Sequence, residues 1–222
     1  MKLVHVDLNR QMIIPKQGAA QWVIESPEWF ASCVQELYQQ CQGEEGRVVL
    51  SEKDNIFDFA KTVEIILNPF AVDLHDKRIT TKLYQELQSV AYGEQLFQKT
   101  QEIAGILQSF FWELEQQSPY LLEMKQALDI PALLKAMGVQ IEQNDNSFFE
   151  TMNTYIQLMA ELLHKKLIIF VQIGQYFTVE QRRAMQETAA NHDIALLFIE
   201  SQELDFANSI PRYIIDIDGC EI

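Results

Sequence analysis

Two near-continuous apolar runs, Leu167-Ile-Ile-Phe-Val171 and Ala195-Leu-Leu-Phe-Ile199, decide the fold class of this chain. Each run has the length and composition of a strand that is buried on both faces, and roughly two dozen residues separate them. Thr178 and Gln181 form a capping box that predicts a helix between the runs. The stretch therefore predicts a parallel βαβ unit and an α/β fold.

The turn after the first run is where a nucleotide-binding enzyme would place its phosphate loop. Here the turn reads Gln172-Ile-Gly174-Gln-Tyr-Phe177, with a single glycine and no following Gly-Lys-Ser/Thr. The scaffold is present without its usual phosphate-binding chemistry, which favours binding over turnover. We expect a protein that is not an enzyme.

The charge balance restricts the possible partners. The chain has 17 basic and 32 acidic residues and a formal charge of −15, which argues against indiscriminate binding to nucleic acid. Binding to DNA then requires the basic groups to cluster on one face while the acidic groups lie elsewhere. The positions of the lysines therefore matter more than the sum.

The cysteines and the N-terminus predict a cytoplasmic protein. Cys33, Cys41 and Cys220 are odd in number and lack C-x-x-C spacing, which favours free thiols in a reducing compartment. The first residues lack the pattern of a signal peptide, and no apolar run approaches the roughly 20 residues of a membrane span.

The order of the elements predicts an α/β head with a helical insertion. Short strands and one helix account for the first part of the chain, with the segments at 2–8, 11–14, 21–24, 27–42 and 47–50. Helical spacing of apolar residues dominates the middle, over about 79–90, 94–117, 131–138 and 148–163. The first two of these helices, at 79–90 and 94–117, are expected to pack as an antiparallel pair. We predict a discontinuous head of residues 1–55 and 160–222, closed by a strand at 213–217, and a helical domain at 56–159.

Three segments carry a resemblance to a known family. They are Leu133-Leu-Lys-Ala-Met-Gly-Val-Gln-Ile-Glu142, His164-Lys-Lys-Leu-Ile-Ile-Phe-Val-Gln-Ile-Gly-Gln-Tyr-Phe-Thr178 and Ile194-Ala-Leu-Leu-Phe-Ile-Glu200. Together they resemble the small type II-A CRISPR-associated adaptation protein, the Csn-two family, whose pattern has the same strand, turn and strand in the same order. The likeness is dense over residues 133–201 and weaker but collinear upstream.

This resemblance implies a fold and a function. The fold it implies is a head like a degenerate nucleoside-triphosphatase core, with a partly parallel sheet and helical legs that calcium organises. The function it implies is a homotetrameric ring that threads double-stranded DNA, prefers free DNA ends, and assists the integrase and the effector nuclease during spacer acquisition.

Candidate DNA contacts are lysines and arginines, all but one of them in the helical middle. Lys77 and Arg78 with Lys82 form the densest basic group, and Lys82 matches a lysine common in the family. Basic residues in a first helical turn oppose the helix dipole, so local stability does not explain them, although a solvated helix start remains the alternative. The second set consists of Lys125, Lys135 and Lys165, for which solvation of a helix or of a strand entrance is the alternative. Arg183 is expected to pair with Glu187 instead.

Candidate calcium ligands lie where the resembled family carries an acidic leg segment: Glu113, Glu115, Glu123 and Asp129. The sequence departs from the family there, because Ser118-Pro-Tyr-Leu-Leu-Glu-Met124 replaces a denser acidic run. A polar turn with Glu142, Asn144 and Asp145 offers further oxygens, with an Asx turn as the alternative.

Two other functions stay open at this point. One is a nucleotide hydrolase with an unrecognised phosphate site on the same scaffold. The other is an acidic scaffold that binds only other proteins, which the charge of −15 favours.

Overall fold

A computed structural model describes residues 1–53, 55–125, 127–143 and 147–222. The strands in this part of the chain are β1 (Lys2–His5), β2 (Met12–Ile13), β3 (Gly18–Ile24), β4 (Val48–Glu52), β5 (Asn55–Ile56), β6 (Val63–Ile66), β7 (Leu167–Val171), β8 (Ala195–Glu200) and β9 (Arg212–Ile215). The helices are α1 (Pro27–Cys41), α2 (Phe59–Thr62), α3 (Lys77–Ala91), α4 (Phe97–Gln116), α5 (Ile130–Ala136), α6 (Phe148–Glu161) and α7 (Val179–Asn191).

The main sheet has five parallel strands in the order β6-β7-β8-β3-β9. Leu167 of β7 lies opposite Ala195 of β8, with α7 as the crossover helix between the two strands. Every residue of β7 and β8 is buried, which explains why both read as unbroken apolar runs. The capping box of Thr178 and Gln181 forms as predicted. The predicted α/β fold with a parallel sheet is confirmed.

A second, antiparallel sheet has the order β2-β1-β4-β5. Its strands alternate buried and exposed residues, and the buried ones join the apolar core that α1 and the main sheet form. Leu3 and Leu50 contribute from this sheet, Leu37 from α1 and Trp22 from β3. The shared core ties both sheets into one compact body.

The chain divides into two compact units, which differ from the predicted domains. We call Met1–Leu74 with Gln143–Ile222 the sheet unit and His75–Glu142 the helical unit. The predicted insertion at 56–159 is too long, since β6 and α6 both belong to the sheet unit. β6 pairs with β7, and α6 packs on α7.

The helical unit holds α3, α4 and α5. The main partner of α3 is α5 rather than the other long helix, α4, so the expected antiparallel pair is not the main contact of this unit. Tyr84 on α3 and Tyr92, directly after it, donate hydroxyl hydrogen bonds to the carbonyl oxygens of Val139 at 2.8 Å and Leu128 at 2.7 Å. Among the described residues of this unit, only Ile79, Thr100 and Ile130 are buried. No helix in the described part of the chain is long and apolar enough to cross a membrane.

Candidate nucleic-acid interface

The predicted basic group lies at the start of α3 in the helical unit. Asp76 caps the helix by accepting from the Arg78 backbone N–H at 2.6 Å, and it also pairs with the Arg78 guanidinium. Lys77 and Lys82 are exposed, and no ion pair joins either of them to another described residue. The capping carboxylate therefore offsets the charge of Arg78, while the two lysines present theirs to solvent.

Two members of the second set are also exposed in the helical unit. Lys125 follows α4, and Lys135 lies in the last turn of α5, where a cation also stabilises the helix dipole. Lys99, in the first turn of α4, is a further exposed cation that the sequence did not single out. Lys99 is the only basic residue of α4, so the sequence shows no basic cluster there that would predict a DNA contact.

The prediction that the third member, Lys165, contacts DNA is wrong, because Lys165 is buried. The residue is 8% exposed, and its ammonium donates to the carbonyl oxygens of Ala60 at 2.9 Å and Val63 at 2.7 Å. The ammonium also lies 3.5 Å from the carboxylate of Glu64. Lys165 therefore holds α2 and the start of β6 together, while its neighbour Lys166 is the exposed lysine of the pair.

Charge is distributed unevenly between the two units. The helical unit has 6 basic and 9 acidic residues, whereas the sheet unit has 11 basic and 23 acidic residues. The acidic excess therefore resides mainly in the sheet unit. The helical unit still has more acidic than basic residues, so attraction of phosphate there requires its exposed lysines to share one face.

The predicted position of a phosphate loop is wrong for this sheet. The first βα turn of the parallel strands joins β3 to α1, not β7 to α7. The β3–α1 turn reads Glu25-Ser26-Pro27-Glu28, with both glutamates exposed and neither glycine nor lysine present. Two carboxylates at this position repel a phosphate group.

A carboxylate of the chain itself occupies the turn after β7. Oε1 of Glu200, at the end of β8, accepts from the backbone N–H groups of Gly174 at 2.8 Å and Ile173 at 3.2 Å. Burial raises the pKa of Glu200 to about 6, although the two N–H groups and Arg182 favour the ionised form. A Cβ on Gly174 would lie 2.2 Å from Cδ1 of Leu204 and 2.9 Å from this oxygen, so any larger residue there would force these side chains to shift.

Arg182 of α7 closes the same turn from the other side. Its guanidinium donates to the carbonyl oxygens of Gly174 at 2.8 Å and Asp205 at 2.6 Å, and it lies 5.3 Å from the centre of the Phe206 ring. The sequence did not reveal this role. Arg183 forms the predicted pair with Glu187, with a distance of 2.9 Å from Nε to Oε1.

The predicted calcium ligands do not form a cluster. No group of three or more His, Cys, Asp or Glu side chains in the described part of the chain could hold a metal ion. Glu115 accepts from the backbone N–H of Leu122 at 3.0 Å, and Asp129 caps α5 by accepting from Ala132. Glu113 lies on α4, as Glu115 does, and Glu123 lies on the segment that follows α4. Asn144 and Asp145 lie outside the described residues.

Comparison with known proteins gives a family. A family model described as CRISPR-associated protein (Cas_Csn2) matches residues 40–219. The chain belongs to this family. The recognised resemblance is confirmed, and with it a place among the CRISPR-associated proteins.

Relatives and a solved structure agree with this membership. A CRISPR-associated protein Csn2 from Streptococcus agalactiae is 32% identical over 91 residues, which is 41% of this chain and 40% of the relative. Another from Enterococcus faecalis is 26% identical over 107 residues, which is 46% of this chain and 49% of the relative. The matches therefore span less than half of each relative. The structure described as Stu0660 of Streptococcus thermophilus has a TM-score of 0.64 at 16% identity, covering 97% of this chain and 74% of that one. That likeness shows the fold.

Proposed function

We propose that this family member is a non-enzymatic ring of four copies that encloses double-stranded DNA and engages free DNA ends during spacer acquisition. The observation that carries the proposal is the charge distribution, which concentrates the acidic excess in the sheet unit and leaves exposed lysines on the helical unit. The proposed phosphate contacts are Lys77, Arg78, Lys82, Lys125 and Lys135. The proposed partners besides DNA are the integrase and the effector nuclease of the same system.

Phosphate contacts of this kind make two demands on binding. Neutralisation of phosphate with release of counterions makes affinity independent of sequence and steeply dependent on salt. A ring that encircles DNA also needs an end in order to load. Linear DNA is therefore expected to bind and covalently closed DNA to bind poorly.

Exposed apolar side chains on α4 support the assembly of several copies. Ile106 is 68% exposed and Trp112 is 67% exposed, and Ile103, Phe110, Phe111 and Leu114 are also exposed. Ile103, Ile106, Phe110 and Leu114 share one face of the helix by their spacing, and exposed apolar side chains that lie together mark an interaction surface. A second copy of the chain is the partner that the proposed ring supplies.

The nucleotide-hydrolase alternative finds little support in the sheet unit. Glu25 and Glu28 occupy the first βα turn, and the N–H groups of Ile173 and Gly174 already donate to Glu200. A phosphate would have to displace that buried carboxylate. The protein-only scaffold rests on the charge of −15 alone and predicts no retention of DNA even at low salt.

Calcium takes no part in the proposed mechanism. The carboxylates of the described residues do not fit a calcium site, which needs six to eight oxygen ligands. The calcium expectation stays a prediction, and a comparison of DNA binding in calcium and in chelator tests it.

The test is binding of the purified protein to linear and covalently closed DNA of one sequence across a salt series. We expect retention of the linear form only. Replacement of Lys82 by Gln should weaken binding severalfold and reduce the salt slope by about 1. Lys166→Gln, which removes an exposed lysine of the sheet unit, is the matched control and should leave both unchanged.

Two results would contradict the proposal. Equal binding of the closed form would exclude threading, and no retention of either form at low salt would favour the protein-only scaffold.

A further inference from the structure

Aromatic side chains cluster at the carboxyl ends of β6 and β7 in the sheet unit. Phe70 follows β6, Tyr176 and Phe177 follow β7, and Phe148 begins α6. We call these four residues the aromatic edge cluster. Ligands of open parallel sheets bind outside the carboxyl ends of the strands, so the cluster stands on the edge where this fold offers a site.

The rings of the cluster form a column that ends in solvent. Phe177 is buried, and the Phe148 ring stacks on it with centroids 5.2 Å apart and an angle of 9°. The Phe70 ring lies 5.2 Å from Phe148 at a tilt of 32° and is 68% exposed. Tyr176 stands edge-on to Phe70 at 5.3 Å and 77°, and is 48% exposed. The outermost ring is therefore supported from below and from one side, and is open to a further planar group.

The two turns that carry this column contribute no charged side chain of their own, and the charged groups that enter the second turn, Glu200 and Arg182, are buried. Residues 67–72 form the first turn and residues 172–177 form the second. Asn68, Gln172 and Gln175 supply amides instead, and Asn68 already accepts from the backbone N–H of Phe70 at 3.1 Å. On a chain with a charge of −15, this is an edge that a nucleic acid can approach without facing an exposed carboxylate in either turn.

We propose that the aromatic edge cluster stacks an unpaired nucleobase on Phe70, with Tyr176 flanking it. The inference rests on the proposed function, which brings free DNA ends to the protein. Stacking on aromatic rings tolerates every base, because each base has a π-face. A base inside a duplex has both faces covered by its neighbours, so the cluster selects unpaired bases at an overhang or a frayed end.

The test compares two single-stranded overhangs on the same linear duplex, one with normal bases and one with abasic sugars. We expect the wild-type protein to bind the normal overhang about tenfold more tightly. Phe70→Ala should abolish this difference, and so should Phe70→Leu, which keeps an apolar side chain but has no ring. Tyr38→Ala, which removes an exposed tyrosine of α1, is the control and should keep the difference.

The outcomes separate this inference from the proposed function. Equal affinity of the wild-type protein for both overhangs, with duplex binding intact, would overturn base stacking and leave the ring in place. A difference that Phe70→Leu preserves would also overturn it, because an apolar contact would then suffice. If no duplex binds at all, the proposed function fails. Free single strands with and without bases would then test the cluster directly, and equal binding or no binding would overturn stacking.

Discussion

The sheet unit and the helical unit bury apolar side chains to different extents. In the sheet unit, all eleven residues of β7 and β8 are buried. In the helical unit, the 20 residues of α4 include a single buried one, Thr100, and large apolar side chains stand exposed along the helix. The sheet unit buries the apolar side chains of these strands within itself, whereas the helical unit leaves apolar side chains of α4 exposed for another molecule to cover.

A matched pair of phenylalanines tests this difference with the largest expected effect. Phe198 is fully buried with its ring centroid 5.1 Å from that of Phe170, so Phe198→Ala should lower the free energy of unfolding by about 3–5 kcal/mol. Phe110 on α4 is half exposed, and Phe110→Ala should lower it by less than about 1 kcal/mol in dilute protein. Urea unfolding of both variants measures the contrast. Similar losses would mean that α4 is covered within the single chain.

We expect the exposed apolar side chains of α4 to affect self-association rather than the stability of the single chain. Ile106→Glu places a charge on the exposed face of α4 and should weaken self-association roughly 100-fold while the helical circular dichroism stays unchanged. Sedimentation velocity over a concentration series gives the measurement. Ile217→Glu is the control, since Ile217 is equally exposed in the sheet unit. A wild-type protein that stays monomeric throughout, or a control with the same effect, would remove α4 as the interface.

The same contrast explains which features the sequence predicts. Burial on both faces favours an apolar residue at nearly every position of β7 and β8, so the sequence alone predicts both strands. β6 is only four residues long and contains Glu64, so the sequence alone places it in the helical region. A short strand with a charged residue has no period that separates it from a helix.

The candidate site depends still less on local sequence. Lys165 reads as an exposed lysine, but its carbonyl partners Ala60 and Val63 are more than a hundred positions away in the chain. Glu200 and Gly174 are likewise 26 positions apart. The only local signal for that contact is a carboxylate at the end of an otherwise apolar strand. The spacing of apolar residues predicts that α4 is a helix with an apolar face. Whether that face is buried or exposed depends on the packing of the rest of the fold.

The pH dependence of stability sharpens the account of the sheet unit. Burial raises the pKa of Glu200 from 4.5 to about 6, so the folded state holds its proton more tightly than the unfolded state does. The associated stability is present below pH 4.5 and is lost as the pH rises through about 6, and it amounts to about 2 kcal/mol. Glu200→Gln keeps an acceptor oxygen for Gly174 but does not titrate. The wild-type protein should therefore lose stability relative to this variant over that range, as urea unfolding at a series of pH values would show.

Glu36 supplies the control of opposite sign in the same unit. Burial opposes its ionisation, but hydrogen bonds from Arg47 and His5 outweigh burial and lower its pKa from 4.5 to about 2. Its contribution is present above pH 4.5 and is lost as the pH falls through about 2, so Glu36→Gln should approach the wild-type stability only in acid. As the pH rises, the stability of the wild-type protein should fall relative to Glu200→Gln and rise relative to Glu36→Gln. A constant difference for Glu200→Gln across the series would mean that its carboxylate is solvated, and the closed turn at Gly174 would lose its support.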